Sequence, residues 1–258
     1  MLGNGRKSTP EDMKAEFNAN PVDDVFKSRQ LKTVAAIPCF NTGGIIGGVV
    51  SRASKYVDRV IVVDDGSTDN TAAAATAAGA TVITHRRNRG YGGAIISCFE
   101  AAKVNGADAL VILDGDGQHN PDEIPQILEP VVKGEADFVV GSRFLNSGVE
   151  VPDYRRFGIN VITFLFNFGS RTKVTDAQSG FRAYGKNVLD AIVLSESGMP
   201  VSVELLVKAR RRGFIIREAP ISCLYDDNSS TQNPIRHGLG VAFSVIRLRL
   251  RYELSPVK

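Results

Sequence analysis

The 258-residue sequence has no tryptophan, three histidines, three methionines, three cysteines and no long apolar run. Each shortage excludes something. Cys39, Cys98 and Cys223 are odd in number and far apart, so neither a disulfide framework nor a Cys-x-x-Cys metal site follows, and a reducing compartment is expected. His85, His119 and His237 are scattered, which argues against a histidine zinc site. Nowhere do about 18 apolar residues run together, so no membrane-spanning helix is expected. The opening MLGNGRKSTPEDMKAEFNANP lacks the apolar centre of a signal peptide. There is no Gly-x-x-x-x-Gly-Lys-Ser/Thr loop and no Gly-x-Ser-x-Gly, and Gly43-Gly44 and Gly47-Gly48 are wrongly spaced for a dinucleotide fingerprint. P-loop phosphoryl transfer, dinucleotide redox chemistry and serine-nucleophile hydrolysis all lose ground. The expectation is a cytoplasmic protein, soluble or peripheral to a membrane.

What is present is ordinary in bulk and uneven in layout. With 43% hydrophobic and 23% charged residues, the chain has the composition of a globular protein. The net charge of +3 is not spread evenly: residues 31–204 hold 16 basic and 19 acidic groups, residues 205–258 hold 10 and 4, and residues 1–30 are balanced. A basic end can meet nucleic acid, anionic lipid or only solvent. Basic residues interleaved with aromatics are missing there, so nucleic acid is not expected as a partner.

Residues 1–30 read as a polar tail. From Thr33 the pattern is regular: TVAAIP, RVIVVDD, ATVIT, ALVILDGD and ADFVVGSR read as strands, and GGIIGGVVSRASKY, TAAAATAAG, GYGGAIISCFEAAKVNG and PDEIPQILEPVVK as helices between them. Apolar strands alternating with helices imply an α/β fold, a mainly parallel twisted sheet with helices on both faces. After Ser142 the pattern loosens. YRRFGINVITFLFNFGSR reads as an aromatic-rich helix, VSVELLVKARRRG as a further helix, and FIIREAPISCLY as two short strands around Pro220. The expected division is a tail over 1–30, one catalytic domain over 31–232 and a basic amphipathic segment over 233–258.

In such sheets ligands bind beyond the carboxyl ends of the strands. Three of those ends carry polar clusters: Asp64-Asp65-Gly66-Ser67, Asp114-Gly115-Asp116-Gly117-Gln118, and Gly141-Ser142-Arg143. Two carboxylates separated by glycine after a buried strand can converge on a hard divalent cation, Mg²⁺ or Mn²⁺, with Gln118 adding a carbonyl oxygen. Ser67, Thr68 or Asp69 can cap the following helix. Capping does not explain the two acids before them, for which hydrogen bonding to a nucleoside is the functional reading.

The series IPCFN (37–41), VVDDGSTDNT (62–71), RNRGYGGA (87–94), LDGDGQHNPDEI (113–124), VVGSRF (139–144), TDAQSGFRAY (175–184) and VELLVKA (203–209) resembles the inverting family 2 glycosyltransferases. Within them it is most similar to the polyprenyl-phosphate (dolichol-phosphate) hexose synthases, over about residues 33–237. The resemblance implies the GT-A fold, a single nucleotide-binding α/β domain. It implies that Asp114, Asp116 and Gln118 hold the metal and sugar diphosphate, with Gly115 between them. Pro38, Phe40, Asn41, Asp64, Asp65 and Ser67 would flank the nucleotide. Arg143 and one of Arg155 or Arg156 would receive the acceptor phosphate, and Asp176, Ser179 and Arg182 would stand beside the reaction centre. Arg236 and His237 match a loop that closes over the donor phosphates. Three departures stand out: Thr42 where glutamate is common, Tyr91 where lysine is common, and no Trp for the Gln-x-x-Arg-Trp of the processive polymer synthases. Many relatives continue into membrane helices, and this sequence ends at Lys258 without one.

The function implied is inverting, metal-dependent transfer of a hexosyl group from a nucleotide-diphosphate sugar to a polyprenyl (dolichyl) phosphate at the cytoplasmic membrane face, with UDP slightly favoured over GDP. Asp116, Asp176 and Arg143 would form the catalytic centre. An acceptor phosphate is already ionised at neutral pH, so positioning and electrostatics replace a strong base. The apolar run Val161, Ile162, Phe164, Leu165, Phe166 and Phe168 is open to two readings, a core helix or a helix at the lipid interface. Ile235, Leu239, Phe243, Ile246, Leu250 and Leu254 form a second stripe, beside Arg247, Arg249 and Arg251. A membrane-embedded partner or a homo-oligomer is compatible with all this. Two other readings stay open: a glycosyltransferase acting on a small soluble acceptor, and a non-catalytic nucleotide-sugar-binding module.

Overall fold

The computed structural model describes residues 31–145, 151–225 and 234–253; in the last stretch the side chains of 234–239, 241 and 253 are outside the description. The chain divides into Met1–Leu31 and Lys32–Lys258, and the sheet with all its described helices belongs to the second unit.

Strand β1 (Thr33–Cys39) is followed by helix α1 (Ile46–Ala53), β2 (Arg59–Asp64), α2 (Thr71–Ala77), β3 (Thr81–Thr84), α3 (Gly90–Val104) and β4 (Ala109–Ile112). A short 3₁₀ turn at Pro121–Glu123 leads into α4 (Ile124–Val132), then β5 (Phe138–Ser142) and α5 (Asp153–Asn167). Strand β6 (Arg182–Gly185), α6 (Lys186–Ala191), α7 (Val201–Arg211), β7 (Ile216–Pro220) and α8 (Pro234–Glu253) complete the order. The sheet runs β3-β2-β1-β4-β6-β5-β7. Every pairing is parallel except those of β6 with β4 and β5.

Strand alternation explains the two layers. Val34 and Ala36 of β1 face one apolar cluster, which includes residues of α3, α5, α7 and α8. Ala35 and Ile37 face the other, built with α1, α2 and α4. With both faces covered, β1, β2 and β4 can be apolar nearly throughout, as parallel strands require.

The regular first half matches the sequence pattern element by element. Two elements of the second half have no counterpart in that pattern: β6 and α6. Strand β6 is four residues long and contains Arg182, so its composition does not announce a strand, although all four residues are buried. Beyond Pro220 the expected second strand is reduced to a single bridge, His119 with Cys223.

Helix α5 resolves the two readings of its apolar run by dividing it. Ile159, Ile162, Thr163 and Phe166 are buried. Tyr154, Phe157, Val161, Phe164 and Phe168 lie exposed on the opposite side, with Phe157, Phe164 and Phe168 at 72%, 63% and 67%. Helix α8 packs against α5 and α7, and Val245 and Leu248 are buried among its described side chains. Phe243, Ile246 and Leu250 of the expected stripe are exposed, while the side chains of Ile235, Leu239 and Leu254 are not among those described. No described helix is long and apolar enough to cross a membrane.

Candidate active site

Strand order reverses at β1, whose neighbours are β2 on one side and β4 on the other. Such a switch point opens a crevice beyond the carboxyl ends of the strands. The loops after β1, β2, β4 and β5 all end there, so the three polar clusters share one rim.

The nucleotide side is built from the loops after β1 and β2. Asn41 adopts a left-handed φ of 53°, a conformation asparagine tolerates. Its backbone N–H donates to Ser67 Oγ at 2.9 Å, and its Oδ1 accepts from Thr68 N at 2.9 Å. Asp69 accepts from Thr71 N, at the first residue of α2, at 3.0 Å and also from Gly43 N at 2.9 Å, while the N-cap position itself is Asn70, whose side chain makes no cap bond. These bonds fix the two loops to each other. Pro38 is buried and Phe40 is exposed at the crevice. Asp64 and Asp65 are both buried. Asp64 accepts from Ser67 N at 3.0 Å. Asp65 Oδ1 accepts from Arg89 N at 2.9 Å and lies 2.6 Å from His85 Nδ1. A carboxylate only accepts, so Nδ1 carries the proton. His85 Nε2 then faces Ser97 Oγ at 2.9 Å. Isolated in the sequence, His85 is the residue that holds Asp65 in the fold.

The loop after β4 crosses the end of β1. Gly115 N donates to Pro38 O at 3.1 Å, and a Cβ on Gly115 would sit 2.7 Å from Cys39 Cβ. Only glycine allows this crossing. Asp114 accepts from the Tyr91 hydroxyl, and burial pushes its carboxyl up to about 6 despite that bond. Its Oδ1 is buried with no hydrogen-bond partner. Loss of solvent in the crevice and the Asp114 charge raise Asp116 as well. Asp116 Oδ1 accepts from Gln118 N at 3.0 Å. His119 is buried and lowered to about 4 by that burial, so it is neutral at pH 7; its Nδ1 accepts from Asp114 N at 3.2 Å. Two crowded carboxylates, one with an orphaned oxygen, fit a divalent cation, whose charge would relieve both. Among the described residues no group of three or more His, Cys, Asp or Glu could hold a metal. Asp114, Asp116 and Gln118 would therefore share such an ion with oxygens of the donor diphosphate or water.

The acceptor side is organised by Arg143. Its Nε donates to Asp176 Oδ2 at 2.6 Å, Nη2 to Asp176 Oδ1 at 2.8 Å and Nη1 to the Tyr225 hydroxyl at 3.0 Å. Asp176 is fully buried, and this paired geometry leaves it no role as a free base. Arg155 stacks over the Tyr225 ring at 5.3 Å and Arg156 is exposed. Tyr225, which no sequence motif singles out, thus links the two arginines expected to receive phosphate. Its segment is tied to the metal loop through Leu224 N, which donates to Gln118 O at 2.9 Å.

Two residues expected beside the reaction centre are buried. Arg182 is 2% exposed; it donates to Ser202 O at 2.6 Å and to Ala177 O at 2.8 Å, and its guanidinium lies over the Phe138 ring. Burial within β6 ties two of its nitrogens to backbone carbonyls, while its charge still acts on Asp114 and lowers that carboxyl. Ser179 is buried and accepts from Phe181 N at 3.2 Å. Both shape the Asp176–Arg182 turn from within. Arg236 and His237 fall in the first turn of α8, outside the residues whose side chains are described.

With this geometry in place, comparison with known proteins is decisive for the family. The model of Glycosyl transferase family 2 matches residues 34–193. The chain belongs to glycosyltransferase family 2. It is a hexosyl-transferring enzyme with the GT-A fold. It is 31% identical to UDP-N-acetylglucosamine–dolichyl-phosphate N-acetylglucosaminyltransferase of Methanococcus voltae, over 83% of this chain and 94% of that one. It is also 31% identical to polyprenol monophosphomannose synthase of Mycolicibacterium smegmatis, over 74% and 77%. Among solved structures, glucosyl-3-phosphoglycerate synthase from Mycobacterium tuberculosis, in complex with Mn²⁺, UDP-glucose and phosphoglyceric acid, superimposes with a TM-score of 0.67. It is 21% identical and covers 99% of this chain and 87% of that one. At that identity it speaks for the GT-A fold alone.

Proposed function

We propose that this glycosyltransferase moves a hexosyl group from a nucleotide-diphosphate sugar, UDP in preference to GDP, to a polyprenyl phosphate, with inversion at the anomeric carbon. The observation that carries the reading is the Arg143–Tyr225–Arg155 assembly at the start of α5, next to an exposed aromatic face. Three of the five guanidinium donors of Arg143 are engaged by Asp176 and Tyr225, which leaves two for phosphate oxygens. A phosphate held there has its lipid chain beside the exposed side of α5. The chain's relatives that act on dolichyl phosphate or make phosphomannosyl polyprenol support the same choice.

In this mechanism Asp64, Asp65 and the 40–41 turn bind the nucleoside, and Arg143, held rigid by Asp176, orients the acceptor. A phosphate oxygen forms the new bond to the anomeric carbon as the bond to the nucleoside diphosphate breaks, and the departing diphosphate carries away the electron pair. Mg²⁺ or Mn²⁺ at Asp114, Asp116 and Gln118 would supply positive charge to that leaving group. Residues 31–232 are the proposed catalytic unit, 1–30 a tail, and 233–258 a segment that meets the cytoplasmic membrane surface peripherally. Three unpaired cysteines are in keeping with a reducing compartment.

The test is transfer from labelled UDP- and GDP-hexoses, with Mg²⁺ or Mn²⁺, to a short polyprenyl phosphate and to 3-phosphoglycerate. Lipid-linked product, lost in Asp116→Ala by about 10²–10³-fold in kcat, is expected. Product on the soluble acid alone would overturn the lipid acceptor, and full activity in EDTA would overturn the metal.

A further inference from the structure

The two carboxylate oxygens of Asp114 have different surroundings, and Tyr91 makes the difference. Tyr91 stands in the first turn of α3, half-buried against the apolar cluster that α3 shares with α5 and α7. Its hydroxyl donates to Asp114. Asp114 Oδ1 is buried and has no hydrogen-bond partner among the described residues, so Oδ2 takes that bond. Gly180 shows how closely the pair converges. A Cβ there would sit 2.5 Å from Asp114 Oδ2 and 3.0 Å from the Tyr91 hydroxyl oxygen, so any side chain at 180 would intrude on both. On the other flank His119 Nδ1 accepts from Asp114 N at 3.2 Å and lies 3.6 Å from Oδ2. The main chain and Oδ2 of Asp114 are thus held, and Oδ1 is left over.

This division has a chemical consequence. A carboxylate with both oxygens free can chelate a cation, whereas one whose second oxygen is held by a phenol offers a single oxygen. Ca²⁺ is large, takes many oxygens in flexible geometry and often uses both from one carboxylate. Mg²⁺ is small and demands a near-octahedral set, into which the narrow bite of a chelating carboxylate fits poorly. Partners that hold a ligand in place in this way tune which ion is bound as well as how tightly. We propose that Tyr91 is a positioning residue that restricts Asp114 to one metal-binding oxygen, Oδ1, and so selects Mg²⁺ and Mn²⁺ against Ca²⁺. The inference rests on the metal reading of Asp114, Asp116 and Gln118 and adds to it a basis for choosing the ion. Tyr91 acts through Asp114 and takes no part in the transfer itself.

The test is electron paramagnetic resonance of Mn²⁺ with the full chain and UDP, and separately GDP. Bound Mn²⁺ loses the sharp signal of the free ion, and titration with Mg²⁺ or Ca²⁺ then restores it by displacement. The native protein is expected to bind Mn²⁺ and to release it to Mg²⁺ at lower concentration than to Ca²⁺. Tyr91→Phe removes the hydroxyl alone and frees Oδ2. It is expected to favour displacement by Ca²⁺ over Mg²⁺ by about 10-fold relative to the native protein. Tyr91→Lys, whose ammonium can donate to Oδ2 again, should return the ratio towards the native one. A purely structural role for Tyr91 would weaken binding of all three ions alike. An unchanged Ca²⁺-to-Mg²⁺ ratio in Tyr91→Phe therefore overturns the proposal. So does native protein that yields Mn²⁺ to Ca²⁺ as readily as to Mg²⁺, a result that needs no variant to fold. Mn²⁺ binding without such selectivity removes this proposal alone. Native protein that binds no Mn²⁺ with either nucleotide removes the metal reading, and the proposal with it.

Discussion

At the scale of single residues, the crevice is held together by buried charge pairs whose partners come from distant segments. Asp176 is fully buried beneath Arg143. Asp176→Asn keeps the shape but strands the guanidinium, so a loss of about 3–5 kcal/mol in urea unfolding is expected, together with a raised KM for the acceptor. Glu204 is a buried pair of another kind, within α7: it is paired with Lys208 one turn on at 2.6 Å and accepts from Ser195 and Glu196 N–H groups. Burial raises its carboxyl, but these bonds outweigh it and leave Glu204 below its ordinary value of 4.5. A folded value below the unfolded one means the pair stabilises fully above pH 4.5 and is lost as pH falls through the lowered value. Glu204→Gln should therefore be less stable at neutral pH and show a flatter decline below pH 4.5 in acid titration followed by circular dichroism. Sequence spacing identifies Asp114, Asp116 and Arg143 as strand-end residues, but not the distant partners Tyr91 of Asp114 and Tyr225 of Arg143, because no local pattern encodes contacts made between remote segments.

Among the elements, α3 shows how glycine sets a close approach. A Cβ on Gly92 would meet Glu196 O at 2.2 Å and Ser197 C at 2.5 Å, and Gly93 N donates to Ser197 O at 3.3 Å. Gly92→Ala must displace that loop and is expected to destabilise by about 1–3 kcal/mol. Gly48 in α1 is exposed with open space where a Cβ would go, so Gly48→Ala is expected to stabilise by about 0.5–1 kcal/mol. Thermal denaturation of both variants checks the contrast. The strands β1, β2 and β4 are readable because two-sided burial demands unbroken apolar runs. Strand β6 is not, since it is short, antiparallel and carries a buried arginine that donates to carbonyls of other segments. Helix α5 is readable as a helix, whereas its division into a buried and an exposed side needs the neighbours α7 and α8.

For the whole molecule, the fold and the donor site are coupled through binding. A nucleotide diphosphate with Mg²⁺ or Mn²⁺ at about 100 times its Kd should stabilise the native state by about 2.7 kcal/mol. That corresponds to a rise in Tm of roughly 5–10 °C for a domain of this size; differential scanning fluorimetry reads it, and the metal-dependent part should vanish in Asp116→Ala. The acidic middle and basic end of the chain acquire places in the structure. Asp64, Asp65, Asp114, Asp116 and Asp176 of the middle lie at the crevice, and Arg210, Arg211 and Arg249 of the end lie near the last turn of α5. The sequence by itself determined the alternating α/β architecture, the family and the strand-end carboxylates, because hydrophobic period and short motifs are local properties. Tertiary structure alone decided which charges pair, since Arg182 and Arg143 carry the same group and differ only in what surrounds them. It alone also showed that the aromatic residues of α5 divide into a buried and an exposed side, because a helix has no exposed side until its neighbours cover the other.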